Sequence, residues 1–433
     1  MKDIHLIGIG GVGMSALAQA LVDSGCEVSG ADRSLNDPSA ELTPALAALA
    51  AQGVKLFPDD GSGVTGDTSR VIVSTAIEDD NPGLVKARAL AIPVAHRATA
   101  LAEALSGHKL VAVAGTCGKS TVTAMLGHLL AKAGFDPVVV NGAAVAGWGE
   151  GGKRVGSVRR GRGLWAVAEV DESDKSLMSF KPAAAVITNA SADHFGLEET
   201  ESLFDDFKRN VSSPCFDCRT DPERPQNVRT EAWSSSFEYE GMTWTVPMPG
   251  AHNAENAFNA VRLARAVGAD AAALKLALAS FPGVERRLQK VGMCGEAVVV
   301  DDYAHNPAKL AAMWSALAAA FPAGVAVVWR PHGYGPLRKM LLQLAETFRA
   351  AIRPQDALLL LPVYDAGGTA DRSVASEHLS AELAGVAGIV ECVPSLDAAE
   401  ARLRELAPRM GAVVTAGARD PGLPLLAKRL ASA

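Results

Sequence analysis

The run Gly115-Thr116-Cys117-Gly118-Lys119-Ser120-Thr121 combines two glycines, one lysine and neighbouring hydroxyls at a spacing suited to phosphate oxygens. In such a turn successive backbone N–H groups cradle phosphates, the lysine ammonium neutralises β/γ oxygens, and the serine hydroxyl can ligate Mg2+. A full-length motif would carry glycine at position 113, where this chain has Val113, so the loop is a shortened GTxGKS form. It follows the apolar run Val111–Ala114 and precedes a helical stretch, the context in which the motif binds ATP. Gly115, Thr116, Gly118, Lys119, Ser120 and Thr121 are the expected contacts.

Two further clusters suit that chemistry. Glu169-Val170-Asp171-Glu172-Ser173-Asp174 follows the apolar run Trp165–Ala168, and Ala192-Asp193-His194 follows Val186-Ile187-Thr188-Asn189. Acids at the carboxyl end of a parallel strand are placed to hold Mg2+, and two cations best neutralise a transferring phosphoryl group. Ser120, Glu169 and His194 are the expected metal ligands; the alternatives are a solvated acidic loop and a structural histidine.

An earlier glycine loop, Gly8-Ile9-Gly10-Gly11-Val12-Gly13, also follows a strand-like run and opens a helix, with Asp32 about 20 residues on. Its glycines let backbone approach a pyrophosphate seated on a helix N-terminus. By itself the loop fits NAD or a nucleotide-sugar equally well.

The elements that must position these residues are short β-branched runs alternating with helical stretches. Strands are expected at Ile4–Ile9, Arg70–Ser74, Leu110–Ala114, Ala183–Thr188, Ala297–Val300 and Ala326–Trp329. Helices are expected at Ser15–Ser24, Ser120–Ala133, Glu255–Ala266 and Ala308–Ala320. This alternation predicts an α/β protein with mostly parallel sheets. At 433 residues one core is not enough. Joints near Ser106–His108 and Phe281–Val284 predict domains at 1–106, 107–282 and 283–433, with Ser212–Pro249 a loop or small irregular sheet of the middle one.

A net charge of -7 argues against a protein held to nucleic acid by many phosphate contacts, while leaving room for a local basic pocket around a phosphorylated ligand. No apolar run reaches the ~18 residues of a membrane span. The start of the chain lacks a signal-peptide layout, and six scattered cysteines do not form a secreted disulfide framework; the expected home is the cytoplasm. Cys215 and Cys218 have CxxC spacing without a second pair, and read as surface thiols rather than half a zinc site.

In order, GTxGKS, AExDESD, TNxxADH and PGxHNxxNA (Pro249 to Ala257) resemble the Mur ligase family of peptidoglycan synthesis. His5 to Ser15, Val28 to Asp32, Val73 to Ile77, Asp80-Asn81-Pro82, Arg286-Arg287, Asp301 to Pro307, Pro331-His332 and Tyr364 to Gly367 extend the likeness over the whole chain. The N-terminal runs are most similar to the branch that joins L-alanine to UDP-N-acetylmuramate. The resemblance implies a Rossmann-like UDP-sugar domain, a central P-loop ATPase domain and a C-terminal Rossmann-like domain that binds the amine. It implies that Gly8, Gly10, Gly11, Gly13, Met14, Ser15, Asp32 and Ser74 bind the UDP-sugar. His252, Asn253 and Asn256 would face adenine, Arg287 the γ-phosphate, and Asp302 the ribose or metal shell. His305 would stand at the reacting end, and His332, Arg338 and Tyr364 at the amine. Lys119, His194, Arg287 and His305 form the implied catalytic set, with ATP and Mg2+ as cofactors and a monomer or weak dimer as the functional form.

A carboxylate and an ammonium ion do not condense in water. Phosphorylation makes the carboxyl an electrophile, and domain closure must then keep water from the acyl phosphate. Gly333-Tyr334-Gly335-Pro336-Leu337 stands where that branch carries several arginines, so the amine is left open between L-alanine, a similar amino acid, and a peptide as in a murein-peptide recycling ligase. Lys208 reads as a solvated helix lysine; other family members carry a carbamylated, metal-binding lysine near this point. An NAD-dependent oxidoreductase would leave Lys119, Glu169 and Arg287 without a role.

Overall fold

The computed structural model describes residues 3–172, 175–191, 195–365 and 371–432. Strands β1 (Asp3–Ile7), β2 (Glu27–Asp32), β3 (Lys55–Pro58), β4 (Arg70–Val73) and β5 (Val94–His96) form one all-parallel sheet in the order β3-β2-β1-β4-β5. Parallel neighbours need crossovers, which the helices Val12–Asp23, Pro44–Ala51 and Pro82–Ala89 supply. Asn81 caps the last of these by accepting from the N–H groups of Gly83 and Leu84, with Pro82 in the first helical turn. The strand order reverses at β1, so the loops after β1 and β4 diverge and leave a crevice at the carboxyl edge.

The second sheet holds β6 (Lys109–Ala114), β7 (Val138–Val140), β8 (Val158–Arg159), β9 (Trp165–Glu169), β10 (Ala184–Ile187) and β11 (Cys215–Asp217), in the order β11-β10-β6-β9-β7-β8. Only the edge strand β8 is antiparallel. Central β6 has β9 and β10 on either side, which brings three strand ends together at one edge. The buried runs Leu110–Ala114 and Ala184–Ile187 are apolar throughout because helices cover both faces of such a sheet.

Strands β12 (Gln226–Glu231), β13 (Ser234–Tyr239) and β14 (Met242–Val246) make a small antiparallel sheet. Glu240 and Gly241, both at positive φ, form the two-residue turn that joins β13 to β14. The fourth sheet contains β15 (Gln289–Cys294), β16 (Ala297–Asp302), β17 (Val325–Trp329), β18 (Ala357–Leu360), β19 (Ile389–Cys392) and β20 (Ala412–Ala416). Its order is β15-β16-β20-β17-β18-β19, with β15 alone antiparallel. Alternate residues serve opposite faces: Val325, Val327 and Trp329 join one core, Ala326 and Val328 the other.

The chain divides into two compact units, Met1–Arg224 with Asn256–Pro282, and Pro225–Glu255 with Gly283–Ala433. The irregular stretch expected within the middle domain is therefore split. Its first part adds β11 to the second sheet, while β12–β14 belong with the C-terminal unit, where Trp233 packs against Phe321 at a ring-centroid distance of 6.0 Å. The period-two pattern is too short there to reveal which sheet it packs on.

Candidate active site

The loop between β6 and the helix Lys119–Lys132 is clasped from the side by the end of β10. Asn189 reads both backbone groups of Cys117: its Oδ1 accepts from Cys117 N at 2.9 Å and its Nδ2 donates to Cys117 O at 3.0 Å. Thr188 donates its hydroxyl to the same carbonyl at 2.6 Å, and Thr116 Oγ1 accepts from Ser191 N at 3.1 Å. Gly118 turns the chain into the helix at φ 86°, a left-handed conformation that favours glycine, and no side chain caps the helix. Its first N–H groups are thus left to an anion, as phosphate binding requires.

Lys119, the first residue of that helix, points into the acidic segment after β9. Its Nζ lies 2.8 Å from Glu172 Oε2 and 3.5 Å from Asp171 Oδ1. Burial opposes the charged ammonium, but the carboxylates of Asp171, Glu172 and Glu169 outweigh it and hold the Lys119 pKa above its ordinary value. One residue on, Ser120 Oγ donates to Glu169 Oε2 at 2.8 Å, and the same oxygen accepts from Gly142 N at 2.8 Å. A hydroxyl and a carboxylate beside a phosphate loop are the hard oxygen donors that Mg2+ prefers, so Ser120 and Glu169 fit that ion. The third expected ligand, His194, lies outside the described residues, as do Ser173 and Asp174. Asn256 stands against the loop as well: a Cβ on Gly118 would fall 2.5 Å from its Oδ1. Lys119, Ser120, Glu169 and Asn256 are thereby brought to one loop.

The first glycine loop is fixed by Asp32 at the end of β2. Its Oδ2 accepts from Gly10 N at 2.8 Å, and its Oδ1 takes the N–H and hydroxyl of Ser34 at 3.0 and 2.7 Å. Gly8 sits at φ 75° and Gly11 precedes the helix without a side-chain cap. Ser74 follows β4 at the same carboxyl edge. Met14 and Ser15 are buried, and Ser15 donates its hydroxyl to Val12 O and its N–H to Gly11 O. These two side chains support the helix from within.

In the C-terminal unit, Arg286 and Leu288 both adopt positive φ around Arg287. Asp302 holds this turn, accepting from Leu288 N and Ala304 N at 2.7 Å each, so both carboxylate oxygens are engaged by backbone. Arg286 is a staple across the sheet end, bonded to Asp301, Gly417 O and Ala418 O, while Arg287 lies over the Tyr303 ring at 5.4 Å. Asp301 is pushed up to about 6, chiefly by burial against the opposing pull of Arg286. His305 Nδ1 donates to Tyr303 O at 2.9 Å, Lys309 approaches its Nε2 at 3.5 Å, and its ring meets His332 at 4.8 Å. Burial and then Lys309 depress its pKa to about 3, so it is neutral at ordinary pH.

The expected amine-binding residues gather at the ends of β17 and β18, where Tyr364 N donates to Pro331 O at 2.9 Å. Arg338 is already engaged, with Asp371 Oδ2 at 2.8 Å and Ser373 Oγ at 3.0 Å. His252 and Asn253 belong to this unit. Asn253 donates its amide to Pro249 O at 2.8 Å, and burial lowers the His252 pKa to about 4.

Lys208 pairs with buried Asp217 at 3.3 Å. A carbamate at that position would set a second anion against Asp217, so the geometry suits a charged lysine. Cys215 and Cys218 are half-buried, and burial pushes both thiols up to about 11.

Sequence reasoning passed over Glu172 and Asn189. Both lie inside recognised motifs, but which acid meets Lys119 and which amide clasps Cys117 depends on strand order.

Comparison with known proteins agrees along the whole chain. Residues 3–109 match the Mur ligase family, catalytic domain; 113–209 the Mur ligase middle domain; and 286–419 the Mur ligase, glutamate ligase domain. The chain is 34% identical over 423 residues to the UDP-N-acetylmuramate--L-alanine ligase of Cereibacter sphaeroides, covering 88% of this chain and 86% of that protein. The enzyme of the same name from Laribacter hongkongensis is 34% identical over 437 residues, covering 91% and 89%. Among solved structures, the UDP-N-acetylmuramate-alanine ligase MurC of Thermotoga maritima superposes with a TM-score of 0.82 at 25% identity, covering 100% of this chain and 99% of that one. The murein peptide ligase of Psychrobacter arcticus shares the fold with a TM-score of 0.68 at 18% identity, covering 100% and 98%.

Proposed function

This chain belongs to the Mur ligase family, and from that premise we propose that it joins UDP-N-acetylmuramate to L-alanine, consuming ATP and releasing ADP and phosphate. The observation that carries the reading is the convergence of Lys119, Ser120 and Glu169 on an uncapped glycine loop in a chain similar over most of its length to ligases of that activity.

Lys119 is the cation for the ATP phosphates, and its neighbouring carboxylates keep it charged at any working pH. Ser120 and Glu169 would hold Mg2+, which when bound supplies positive charge to the phosphate oxygens. Asn189 and Thr188 keep the loop open and in register, so that its N–H groups are preorganised rather than recruited. Asn256 borders the same loop, and we assign it to the nucleotide. Gly8 to Gly13, fixed by Asp32, would seat the UDP-sugar pyrophosphate. Arg287 and His305 keep, as proposals, the roles that the family resemblance implies, whereas Asp302, with both oxygens held by backbone, would act by shaping the Arg286–Leu288 turn rather than by meeting the ribose or metal. No helix among the described residues is long and apolar enough to cross a membrane. We take the enzyme to work in the cytoplasm as a monomer or weak dimer, in three domains divided near residues 106 and 282, with 225–255 set apart from the middle one because it groups with the C-terminal unit.

The test is phosphate release by purified protein with ATP, Mg2+ and UDP-N-acetylmuramate against L-alanine, L-serine, glycine and L-Ala-D-Glu-diaminopimelate. Turnover that requires the sugar nucleotide and L-alanine is the expected result. Turnover with the tripeptide alone would reassign the amine, and none with any pairing would remove the activity.

A further inference from the structure

Gly13, the last glycine of the first loop, has no positive φ to explain it. What it makes room for is a side chain. A Cβ placed on Gly13 would lie 2.9 Å from Arg97 Nη1, 3.2 Å from its Cζ and 3.3 Å from its Cδ, so the guanidinium rests against the backbone of the loop at the start of the helix Val12–Asp23. Arg97 is the first residue of the helix Arg97–Ala104, which begins directly after β5, with His96 as its cap through Ala98 N at 3.3 Å. Since β1, β2, β4 and β5 are parallel, Arg97, the glycine loop, Ser74 and Asp32 all stand at one edge of the sheet. Among the described residues Arg97 makes no hydrogen bond or ion pair, whereas Asp32 across the loop has both oxygens engaged. A half-buried guanidinium left without a counter-charge beside an uncapped helix start is short of an anion.

We propose that Arg97 is a binding residue for the diphosphate of the nucleotide-sugar, held against the loop by the absence of a side chain at Gly13. This rests on the nucleotide-sugar reading of the first domain. Arg97 would complement the helix N–H groups with a planar donor pair, a geometry lysine does not reproduce. It would act on the phosphates and leave the uracil and ATP sites alone.

The experiment compares UDP with uridine by equilibrium titration of the full chain, for wild type, Arg97→Ala, Arg97→Lys and Gly13→Ala. Gly13→Ala is a separate probe: the three atoms nearest the added methyl all belong to the long Arg97 side chain, so the methyl displaces the guanidinium before it meets backbone. The expected result is a roughly ten- to hundred-fold loss of UDP affinity in Arg97→Ala. Arg97→Lys and Gly13→Ala should lose part of that, with uridine binding and the KM for ATP unchanged. An Arg97→Ala protein that still prefers UDP over uridine as strongly as wild type overturns the assignment while leaving the nucleotide-sugar reading intact. A wild-type protein that binds neither probe overturns that reading, and the assignment with it.

Discussion

Lys119 Nζ and Glu172 Oε2 lie 2.8 Å apart, with side chains only 11% and 4% exposed, so the lysine of the phosphate loop is held by a buried carboxylate. Such a pair need not add stability over an apolar one. Removing one partner, though, strands the other charge in a low-dielectric setting. Glu172 thereby maintains a charged Lys119 in position beside the loop.

Glu172→Gln and Lys119→Met should each destabilise the fold by about 1–3 kcal/mol, while the double variant loses less than their sum. Urea melts of the four proteins measure this coupling. Strict additivity would show that the contact has no energetic weight.

Ser120 and Glu169 share one hydrogen bond of 2.8 Å at the proposed Mg2+ position. Glu169→Gln should raise the Mg2+ concentration for half-maximal phosphate release at least about tenfold, and Ser120→Ala less, because a carboxylate contributes charge as well as an oxygen. Titrating MgCl2 at saturating ATP reads this out. Unchanged Mg2+ dependence in both variants would rule out these residues as ligands.

His5 is 1% exposed, with Nδ1 2.9 Å from Ser29 Oγ. Burial lowers its pKa to about 4, against a smaller opposing effect of Asp59. Because the folded value is depressed, the unfolded chain takes up the proton first. The stability from neutral His5 is full above pH 6.5 and drains away as pH falls toward 4, by up to about 1.4 kcal/mol per pH unit. His5→Asn should flatten that part of a stability–pH curve measured by urea melts; an equally steep curve would acquit His5.

Lys208 is 44% exposed and paired with Asp217. Lys208→Ala should keep at least about half of the wild-type rate and gain nothing from added short-chain acids, since Arg219 still pairs with buried Asp217 and a pair with an exposed lysine is worth roughly 1 kcal/mol or less. Loss of activity restored by such acids would instead establish a carbamylated, metal-binding lysine.

The sequence by itself determined a good deal. Gly115 to Thr121 announced a phosphate loop because a lysine and hydroxyls at that spacing, between a strand and a helix, follow from local geometry alone. Apolar runs of four to six residues marked strands such as β6, β10 and β17, since burial on both faces leaves a continuous apolar signature. The ordered motifs were enough to identify the family. Only the tertiary structure decided which groups meet. Glu172 reaches Lys119 across 53 residues because β9 lies beside β6 in the sheet, and Asn189 clasps Cys117 across 72 because β10 lies on the other side. Arg97 reaches Gly13 from the end of β5, and β12–β14 pack with the C-terminal unit rather than the sheet that precedes them. Periodicity and spacing report what a residue's own element needs from its surroundings. Strand order, set by the packing of whole elements, selects the partner.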